Sequence, residues 1–286
     1  MLILFRLKIF DGMKSAIFNR IAMLAAACLV AAAPVSSYAK SAKKLGIVAH
    51  RGYWNCEDGG FARNSMASLK SAQKAGFWGS EFDVNITSDG QVIVVHDGKI
   101  GGKVIAENPY SAFAEMTLEN GEHIPTLEQY LAQGKKCRGT MLICELKSQP
   151  SPEIEDRLLD TVVRKLKEYG LYTPKRVLFI SFSRHISDRI AAEMPEFTNQ
   201  YLGSEYSPEN LAETKINGID FHYSVFTKHP DWYAQARKAG MSVNCWTVNK
   251  EEDMKAMLRL GVDYITTDKP DLLREVLGTE KIKEDK

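Results

Sequence analysis

The stretch Gly79-Ser80-Glu81-Phe82-Asp83-Val84-Asn85-Ile86-Thr87 combines β-forming residues with regularly spaced polar ones. This alternation is typical of a β-strand, in which residues i and i+2 point to the same face. Glu81 and Asp83 are therefore expected to project together, with Phe82 on the opposite face. Adjacent carboxylates repel each other unless a cation lies between them, and hard divalent cations prefer oxygen ligands. The stretch predicts either a metal site or two solvent-facing acids on an edge strand.

Further short apolar runs alternate with helical patterns from residue 44 onwards, and glycines stand where several helices should stop. Eight strands separated by helices, several of them almost continuously apolar, predict a parallel sheet covered on both faces. Eight such units fit a closed (β/α)8 TIM barrel over residues 40–278, and a doubly wound open sheet is the alternative. The predicted strands are 45–50, 80–86, 141–146, 176–181, 199–202, 218–221, 242–246 and 263–266, and the predicted helices are 65–75, 127–132, 153–169, 186–193, 208–213, 232–239 and 251–260.

Two segments depart from the regular alternation. Ser88-Asp89-Gly90 is a turn signal, and the β-forming run 91–96 follows it, so the second strand is predicted to double back as a β-hairpin. Residues 97–125 are glycine-rich and polar and are expected to form a small insertion. Residues 279–286 form a charged tail.

The N-terminus has the composition of a targeting segment. Residues 1–20 hold four basic residues and one acid, an apolar run follows at 21–33, and Ser37-Tyr38-Ala39 ends the segment in a small-x-small pattern. This order predicts a signal peptide over residues 1–39, secretion across an inner membrane and a periplasmic location. The apolar run is short for a membrane span, so none is expected in the mature chain. A lipid anchor through Cys28 is the less favoured alternative.

Composition and charge narrow the class of protein. The chain has 286 residues, of which 44% are hydrophobic and 26% charged, as in ordinary soluble globular proteins. Its formal net charge of +1 gives no basic excess for nucleic acid, so a nucleic-acid partner is not expected. Oligomeric state is left open. The mature chain retains an even number of cysteines, which permits disulfides while their spacing dictates none: Cys56, Cys137, Cys144 and Cys245.

Charged residues gather at the ends of the predicted strands, where parallel barrels carry their functional groups. Glu81, Asp83 and Glu145 supply three negative charges and suit one divalent cation, Ca²⁺ or Mg²⁺. Arg51 and Lys147 add positive charge and hydrogen-bond donors that suit phosphate oxygens. A site of this kind should accept an anionic phosphodiester when its metal is present.

Two histidines complete the predicted site. His50 ends the first strand and His96 ends the return strand of the hairpin. Both titrate near neutrality and are suited to act as an acid–base pair. A metal that stabilises charge on phosphoryl oxygens, together with acid–base histidines, is the minimum set for cleaving a P–O bond.

Seven motifs in a fixed order span residues 50 to 270. They are His50-Arg51-Gly52, Glu81-x-Asp83, His96-Asp97, Gly121-x-x-Ile124-Pro125-Thr126-Leu127, Glu145-Leu146-Lys147, Trp246-Thr247-Val248-Asn249 and Thr267-Asp268-Lys269-Pro270. In order and spacing they resemble the glycerophosphodiester phosphodiesterase family. The resemblance implies a (β/α)8 barrel that hydrolyses a small-molecule glycerophosphodiester to sn-glycerol 3-phosphate and an alcohol. It further implies that the glycerol 2-hydroxyl is the nucleophile and that the reaction passes through a cyclic phosphate.

The resemblance also assigns roles to eight residues. It implies that His50 and His96 are the general acid and base, and that Trp246 lines the glycerol side. It implies that one cation is bound by Glu81, Asp83 and Glu145. It also implies that Arg51 and Lys147 contact the phosphate.

One stretch departs from the family pattern. Where the family usually has Glu-Asn-Thr after the first strand, this chain has Arg63-Asn64-Ser65. The change removes a carboxylate near the predicted metal site and adds a cation that favours a more anionic substrate. Trp54, in the loop before it, either shapes a substrate pocket or packs on the barrel top. Two alternative functions are a phospholipase-like enzyme acting on intact lipid and a non-catalytic barrel that binds a phosphorylated ligand.

Overall fold

A computed structural model describes residues 45–284 of the chain. The predicted signal peptide, residues 1–39, and Cys28 within it lie outside the described residues. Within residues 45–284, no helix combines the length and apolar character needed to cross a bilayer.

The described residues contain eleven β-strands. In chain order these are β1 (Gly46–Ala49), β2 (Gly79–Ile86), β3 (Val92–Val94), β4 (Lys99–Ile100), β5 (Lys103–Val104), β6 (Met141–Leu146), β7 (Val177–Ser181), β8 (Asn199–Tyr201), β9 (Gly218–His222), β10 (Ser242–Trp246) and β11 (Tyr264–Thr267).

Eight of these strands close into a parallel barrel. They pair in the order β1-β2-β6-β7-β8-β9-β10-β11, and β11 pairs in parallel with β1. The predicted TIM barrel is therefore confirmed, and the open-sheet alternative is wrong because β1 has a neighbour on both sides. β3 runs antiparallel to β2, with Val84 opposite Val94, which confirms the predicted hairpin.

Nine α-helices in the described residues connect and surround the strands. They are α1 (Met66–Ala75), α2 (Leu127–Gly134), α3 (Pro152–Glu168), α4 (Arg184–Glu193), α5 (Pro208–Glu213), α6 (Val225–Lys228), α7 (Trp232–Lys238), α8 (Glu251–Leu260) and α9 (Pro270–Glu284). α6 and α9 were not expected from the sequence. Because α9 continues beyond Gly278, the charged tail predicted at 279–286 begins inside this helix.

Side chains alternate between the two faces of each strand, and this alternation separates two apolar cores. In β2, Phe82, Val84 and Ile86 point outward and pack in a large apolar cluster with the surrounding helices. The opposite phase points into the barrel, where Val48 and Ile143 lie in a smaller apolar cluster. Polar side chains of this inward phase therefore converge inside the barrel, and at the carboxyl ends of the strands they meet at one rim.

The insertion after β3 has a core of its own. It contains the β4–β5 hairpin and two 3-10 turns, Ile105–Glu107 and Tyr110–Ala112. Ile93, Ile105, Phe113 and Ile124 pack together beneath it. This apolar cluster fixes the segment beside the carboxyl end of β3, where His96 lies.

The four cysteines of the described residues are free thiols. Cys144 and Cys245 are buried, and Cys56 and Cys137 are partly buried. The disulfides that the even count permitted are absent among them.

Candidate active site

Three carboxylates form the centre of the candidate site. Glu81 and Asp83 share the inward face of β2, and the strand register sets Glu145 of β6 directly beside Asp83. One oxygen from each of the three side chains lies within 4.8 Å of the others. All three residues are buried, with Asp83 fully inaccessible. The structure thus brings the three predicted metal ligands together.

Each carboxylate is held by a specific donor. The Arg51 backbone N–H donates to Glu81 Oε2 at 2.6 Å, Asn64 Nδ2 donates to Asp83 Oδ2 at 2.8 Å, and Lys147 Nζ donates to Glu145 Oε1 at 2.6 Å. One oxygen each of Glu81 and Asp83 is buried without a hydrogen-bond partner. Unpartnered buried oxygens of this kind are costly unless a ligand satisfies them.

Burial, neighbouring negative charge and nearby donors shift the pKa values of the three carboxyls. Burial, and then the charges of Asp83 and Glu145, raise the pKa of Glu81 well above its ordinary value. Burial and Asp83 raise the pKa of Glu145 to about 7. Burial also opposes ionisation of Asp83, but Lys147 and Asn64 outweigh it and lower the pKa of that carboxyl. Without a cation, two of the three acids therefore hold protons more tightly than usual.

These residues fit a hard divalent cation. The ligand atoms are all oxygen, they lie close together, and two of them lack a hydrogen-bond partner. A bound cation also offsets the burial and the mutual repulsion that raise the pKa of Glu81 and Glu145. The structure thus contains an acidic cluster able to hold a metal, while the choice between Ca²⁺ and Mg²⁺ stays a prediction.

A left-handed turn positions the donors after β1. Arg51 and Asn64 have φ values of 55° and 56°, a region that non-glycine residues seldom adopt. Between them, Gly52 has φ 76°, and a Cβ there would lie 2.3 Å from Ser68 Oγ. The chain therefore requires glycine at 52, and the turn directs the Arg51 N–H at Glu81. The Arg51 side chain returns to the site, with Nε 3.7 Å from Asp83 Oδ2.

His50 is oriented by a partly buried network at the end of β11. Its Nδ1 lies 2.8 Å from Asp268 Oδ1. Trp54 Nε1 donates to the same oxygen at 3.1 Å, and Asn249 Nδ2 donates to Asp268 Oδ2 at 2.8 Å. Burial opposes ionisation of Asp268, but these partners, His50 first, lower its pKa to about 2. Asp268 therefore stays ionised and leaves His50 Nε2 as the ring nitrogen available for chemistry.

His96 has a looser setting. Its Nδ1 lies 2.7 Å from Asp97 Oδ1, and the Asp97 side chain is 75% exposed. Burial lowers the pKa of His96, Asp83 opposes this, and Lys147 adds to it, so the net shift is downward. Both predicted histidines thus lie at the carboxylate rim, and His96 favours the neutral form.

Lys147 and Trp246 complete the predicted set. Lys147 Nζ lies between two carboxylates, 2.6 Å from Glu145 Oε1 and 3.4 Å from Asp83 Oδ1. Trp246 ends β10, where its ring packs edge-on against Phe182 at 5.6 Å and against His222 at 5.4 Å. These three rings form an aromatic wall on one side of the rim.

Sequence reasoning assigned no role to three residues of this rim. Asp268 and Asn249 occur only as members of motifs, and Phe182 belongs to no motif. All three lie just beyond the ends of strands. Phe182 and Asp268 also stand two residues after the inward-facing Ile180 and Thr266, and this spacing is the signal that would have identified them.

Two cavities lie at opposite ends of the barrel. One of about 190 Å³ opens beside His96 and is lined by Arg51, Arg63, Asn64, Val95, His96, Asp97, Leu118 and Glu119. The other, of about 370 Å³, is lined by residues that precede β6 and β7, including Arg138 and Arg176. It therefore lies at the amino ends of the strands and contains none of the predicted site residues.

Asp220 is a fourth inward acid, on β9, and both its oxygens are buried without a hydrogen-bond partner. Burial, and then Glu145, raise its pKa well above the ordinary value of 3.8. The folded state therefore keeps a proton that the unfolded state releases, and stability falls as pH rises above 3.8.

Replacing Asp220 with asparagine is expected to remove this proton uptake. The unfolding free energy of Asp220→Asn should exceed that of the wild type by an amount that grows with pH. The growth should be up to about 1.4 kcal/mol for each pH unit above 4, until the pH passes the pKa of Asp220 in the folded wild type. Urea unfolding of both proteins in chelator at pH 5 and pH 8 measures this difference, in which the shared contributions of Glu81 and Glu145 largely cancel. Equal pH slopes would mean that Asp220 is ionised in the folded protein.

A closed barrel with an acidic cluster able to hold a metal, two carboxylate-bound histidines and two basic residues at one rim fits a phosphoric ester hydrolase. The family model for the glycerophosphoryl diester phosphodiesterase family matches residues 50–272. The chain belongs to this family, which confirms the enzyme class expected from the sequence.

Individual relatives agree. The chain is similar to a glycerophosphodiester phosphodiesterase of Parabacteroides distasonis, with 39% identity, a TM-score of 0.80, and coverage of 84% of this chain and 99% of that one. It is 29% identical to the glycerophosphodiester phosphodiesterase of Caldanaerobacter subterraneus subsp. tengcongensis, over 79% of this chain and 95% of that protein. A phosphodiesterase of Oleispira antarctica, solved in complex with the product sn-glycerol-3-phosphate, shares the fold at 24% identity and a TM-score of 0.68, with 82% of this chain and 96% of that one covered.

Proposed function

We propose that this chain cleaves glycerophosphodiesters to sn-glycerol 3-phosphate and an alcohol. One divalent cation, Ca²⁺ or Mg²⁺, would be held by Glu81, Asp83 and Glu145. The observation that carries the proposal is the convergence of these carboxylates and two carboxylate-bound imidazoles at the same rim. When bound, the cation supplies Lewis-acid stabilisation of charge on the phosphoryl oxygens.

The charges of the site suit a phosphodiester. Three carboxylates and a divalent cation leave one negative charge, which Arg51 and Lys147 convert to one positive charge. A phosphodiester monoanion neutralises that charge. The Arg51 and Lys147 donors, now directed at Asp83 and Glu145, would then be shared with the phosphate oxygens.

The two histidines divide the proton transfers. His96, whose pKa is lowered, accepts the proton of the glycerol 2-hydroxyl as that oxygen attacks phosphorus. His50 Nε2–H donates a proton to the departing alcohol oxygen as the P–O bond breaks, and ionised Asp268 stabilises and orients the protonated ring. In the second step His50 takes a proton from water, water opens the cyclic phosphate, and His96 returns its proton to the 2-hydroxyl.

A panel of substrates tests this function. Purified protein should release sn-glycerol 3-phosphate from soluble glycerophosphodiesters with added Ca²⁺ or Mg²⁺, and excess chelator should remove at least about 99% of the rate, because metal catalysis supplies several kcal/mol. Undiminished hydrolysis in chelator would contradict the metal assignment. Tight binding of the substrates without product release would favour the non-catalytic barrel.

One observation favours the second candidate, cleavage of intact lipid. The large apolar side chains that are most exposed in the described residues are Phe61, Phe182 and Tyr206, at 56%, 40% and 38%. All three follow barrel strands and so lie on the carboxyl-end face around the site, where they suit contact with lipid. Lysophosphatidylcholine micelles in the same panel test this, and cleavage of micelles in preference to the soluble diesters would favour the lipid candidate.

A further inference from the structure

Arg63 places a positive charge on the wall of the cavity beside His96. It lies in the loop between β1 and α1 and is exposed, and Arg51, Asn64 and His96 line the same cavity of about 190 Å³. Among the described residues, no carboxylate oxygen lies within 4 Å of the Arg63 guanidinium. Arg63 is therefore a cation at the mouth whose charge no described acid neutralises at close range.

Two other cations of the rim, Lys147 and Arg51, are already engaged. Lys147 donates to Glu145 at 2.6 Å, and Arg51 lies 3.7 Å from Asp83. Their charges serve the acidic cluster and the phosphate proposed to bind there. A further negative charge on the substrate would require an additional cation, and Arg63 supplies it.

Trp54 fixes the position of Arg63. The guanidinium carbon lies 3.9 Å from the centre of the Trp54 ring, a close cation–π stack. The indole N–H of Trp54 in turn donates to Asp268, which holds His50. This chain of contacts links the Arg63 fork to His50, the proposed general acid, which protonates the departing alcohol. A fork held in this way loses less freedom when it binds a carboxylate or phosphate.

The topology separates Arg63 from the aromatic wall. Phe182 follows β7, and His222 and Trp246 end β9 and β10, whereas the cavity of Arg63 lies beside β1, β2 and the hairpin. In the barrel order, β2 is four strands from β9 and so stands across the rim from it. Arg63 therefore lies away from the aromatic wall and is linked instead, through Trp54 and Asp268, to His50, which protonates the departing alcohol.

Two acids also face this cavity. Asp97 is bonded to His96, and Glu119 is exposed on the insertion. Glu119 would attract an ammonium group on the head group and repel a carboxylate. A test of Arg63 therefore has to compare head groups that carry the same ammonium group.

We propose that Arg63 forms a head-group subsite that selects glycerophosphodiesters whose departing alcohol carries an additional anionic group, a carboxylate or a second phosphate. The proposal rests on the proposed function. It assigns Arg63 to substrate specificity rather than to bond cleavage, so the substitution should change substrate preference and leave hydrolysis of uncharged head groups intact.

Glycerophosphoserine and glycerophosphoethanolamine form the matched pair for the test, because they differ only by the serine carboxylate. In Arg63→Gln, the ratio of kcat/KM for the serine diester to kcat/KM for the ethanolamine diester should fall about fivefold, the upper range for an exposed ion pair. The change should appear mainly in KM, and in the wild type alone the ratio should fall with added NaCl. Lys70→Gln, which removes an exposed charge from α1, is the control and should leave the ratio unchanged.

The outcomes separate the two proposals. Hydrolysis of both diesters at an unchanged ratio in Arg63→Gln would overturn the subsite and leave the proposed function standing. An equal loss with both diesters would make Arg63 a structural residue and also overturn the subsite. Failure of the wild type to hydrolyse either diester would overturn both proposals.

Discussion

Replacing Glu81 with glutamine is expected to abolish cation-dependent hydrolysis while the protein stays folded. Loss of one carboxylate from a three-carboxylate site should lower kcat/KM at least about a hundredfold, since even outer partners of metal ligands cost 10–100-fold. The fold should tolerate the change because burial already raises the pKa of Glu81 and favours its neutral form. Glutamine is neutral and keeps an oxygen that accepts the Arg51 N–H. Glu81→Ala should lose activity equally.

Thermal unfolding separates loss of the cation from loss of the fold. At a cation concentration about a hundred times its Kd, binding adds about 2.7 kcal/mol to the wild type. For a domain of this size that raises Tm by about 5–10 °C. Glu81→Gln should melt near the metal-free wild type and show little of this shift. Because the pKa of Glu145 is about 7 without a cation, the wild-type shift should also weaken as pH falls from 8 to 6, where protons compete with the metal.

Glu115→Gln is the matched control, since it removes an exposed acid from the insertion and should behave as the wild type. A cation-induced Tm shift of wild-type size in Glu81→Gln would show that Glu81 is not a ligand. Wild-type turnover in that variant would remove the carboxylate cluster from the mechanism altogether.

The parts of the site that follow from strand phase could be predicted from the sequence. Glu81 and Asp83 share a face because side chains alternate along a strand, and parallel strands gather their carboxyl ends at one rim. The position of Glu145 beside Asp83 needs the β2–β6 register as well. Register depends on how the whole barrel closes. The sequence could therefore predict that the three carboxylates lie at the same rim, but not that one oxygen of each lies within 4.8 Å of the others.

Long-range partners account for most of what was missed. Asp268 is 218 residues from His50, and the two meet only because β11 closes the barrel against β1. The pairing of Asn64 with Asp83 depends on a left-handed residue at 64, which composition does not reveal. α9 was missed because its amphipathic signal is weak and its charged end suggested a tail.

The His50 variants test the division of roles between the histidines. His50→Ala should lower kcat/KM for glycerophosphodiesters of ordinary alcohols by about a hundredfold or more, because the departing alkoxide then leaves without a proton. With the p-nitrophenyl diester of glycerol phosphate, whose leaving group needs no proton, most of that loss should disappear. His96→Ala should lose activity with both substrates, since the attacking hydroxyl still requires a base.

Asp268→Asn tests how His50 is positioned, with Asp97→Asn as its counterpart at His96. The Asp268 side chain is 21% exposed and that of Asp97 is 75% exposed, so water replaces the second far more readily. Asp268→Asn should lower kcat/KM by about 10–100-fold, as loss of an orienting partner does, and Asp97→Asn should cost much less. The loss in Asp268→Asn should also shrink with the p-nitrophenyl substrate, because it acts through the proton that His50 donates. Equal losses with both substrates would show that Asp268 supports the rim as a whole rather than proton donation by His50. Equal losses in Asp268→Asn and Asp97→Asn would show that burial of the carboxylate does not determine how much it contributes to kcat/KM.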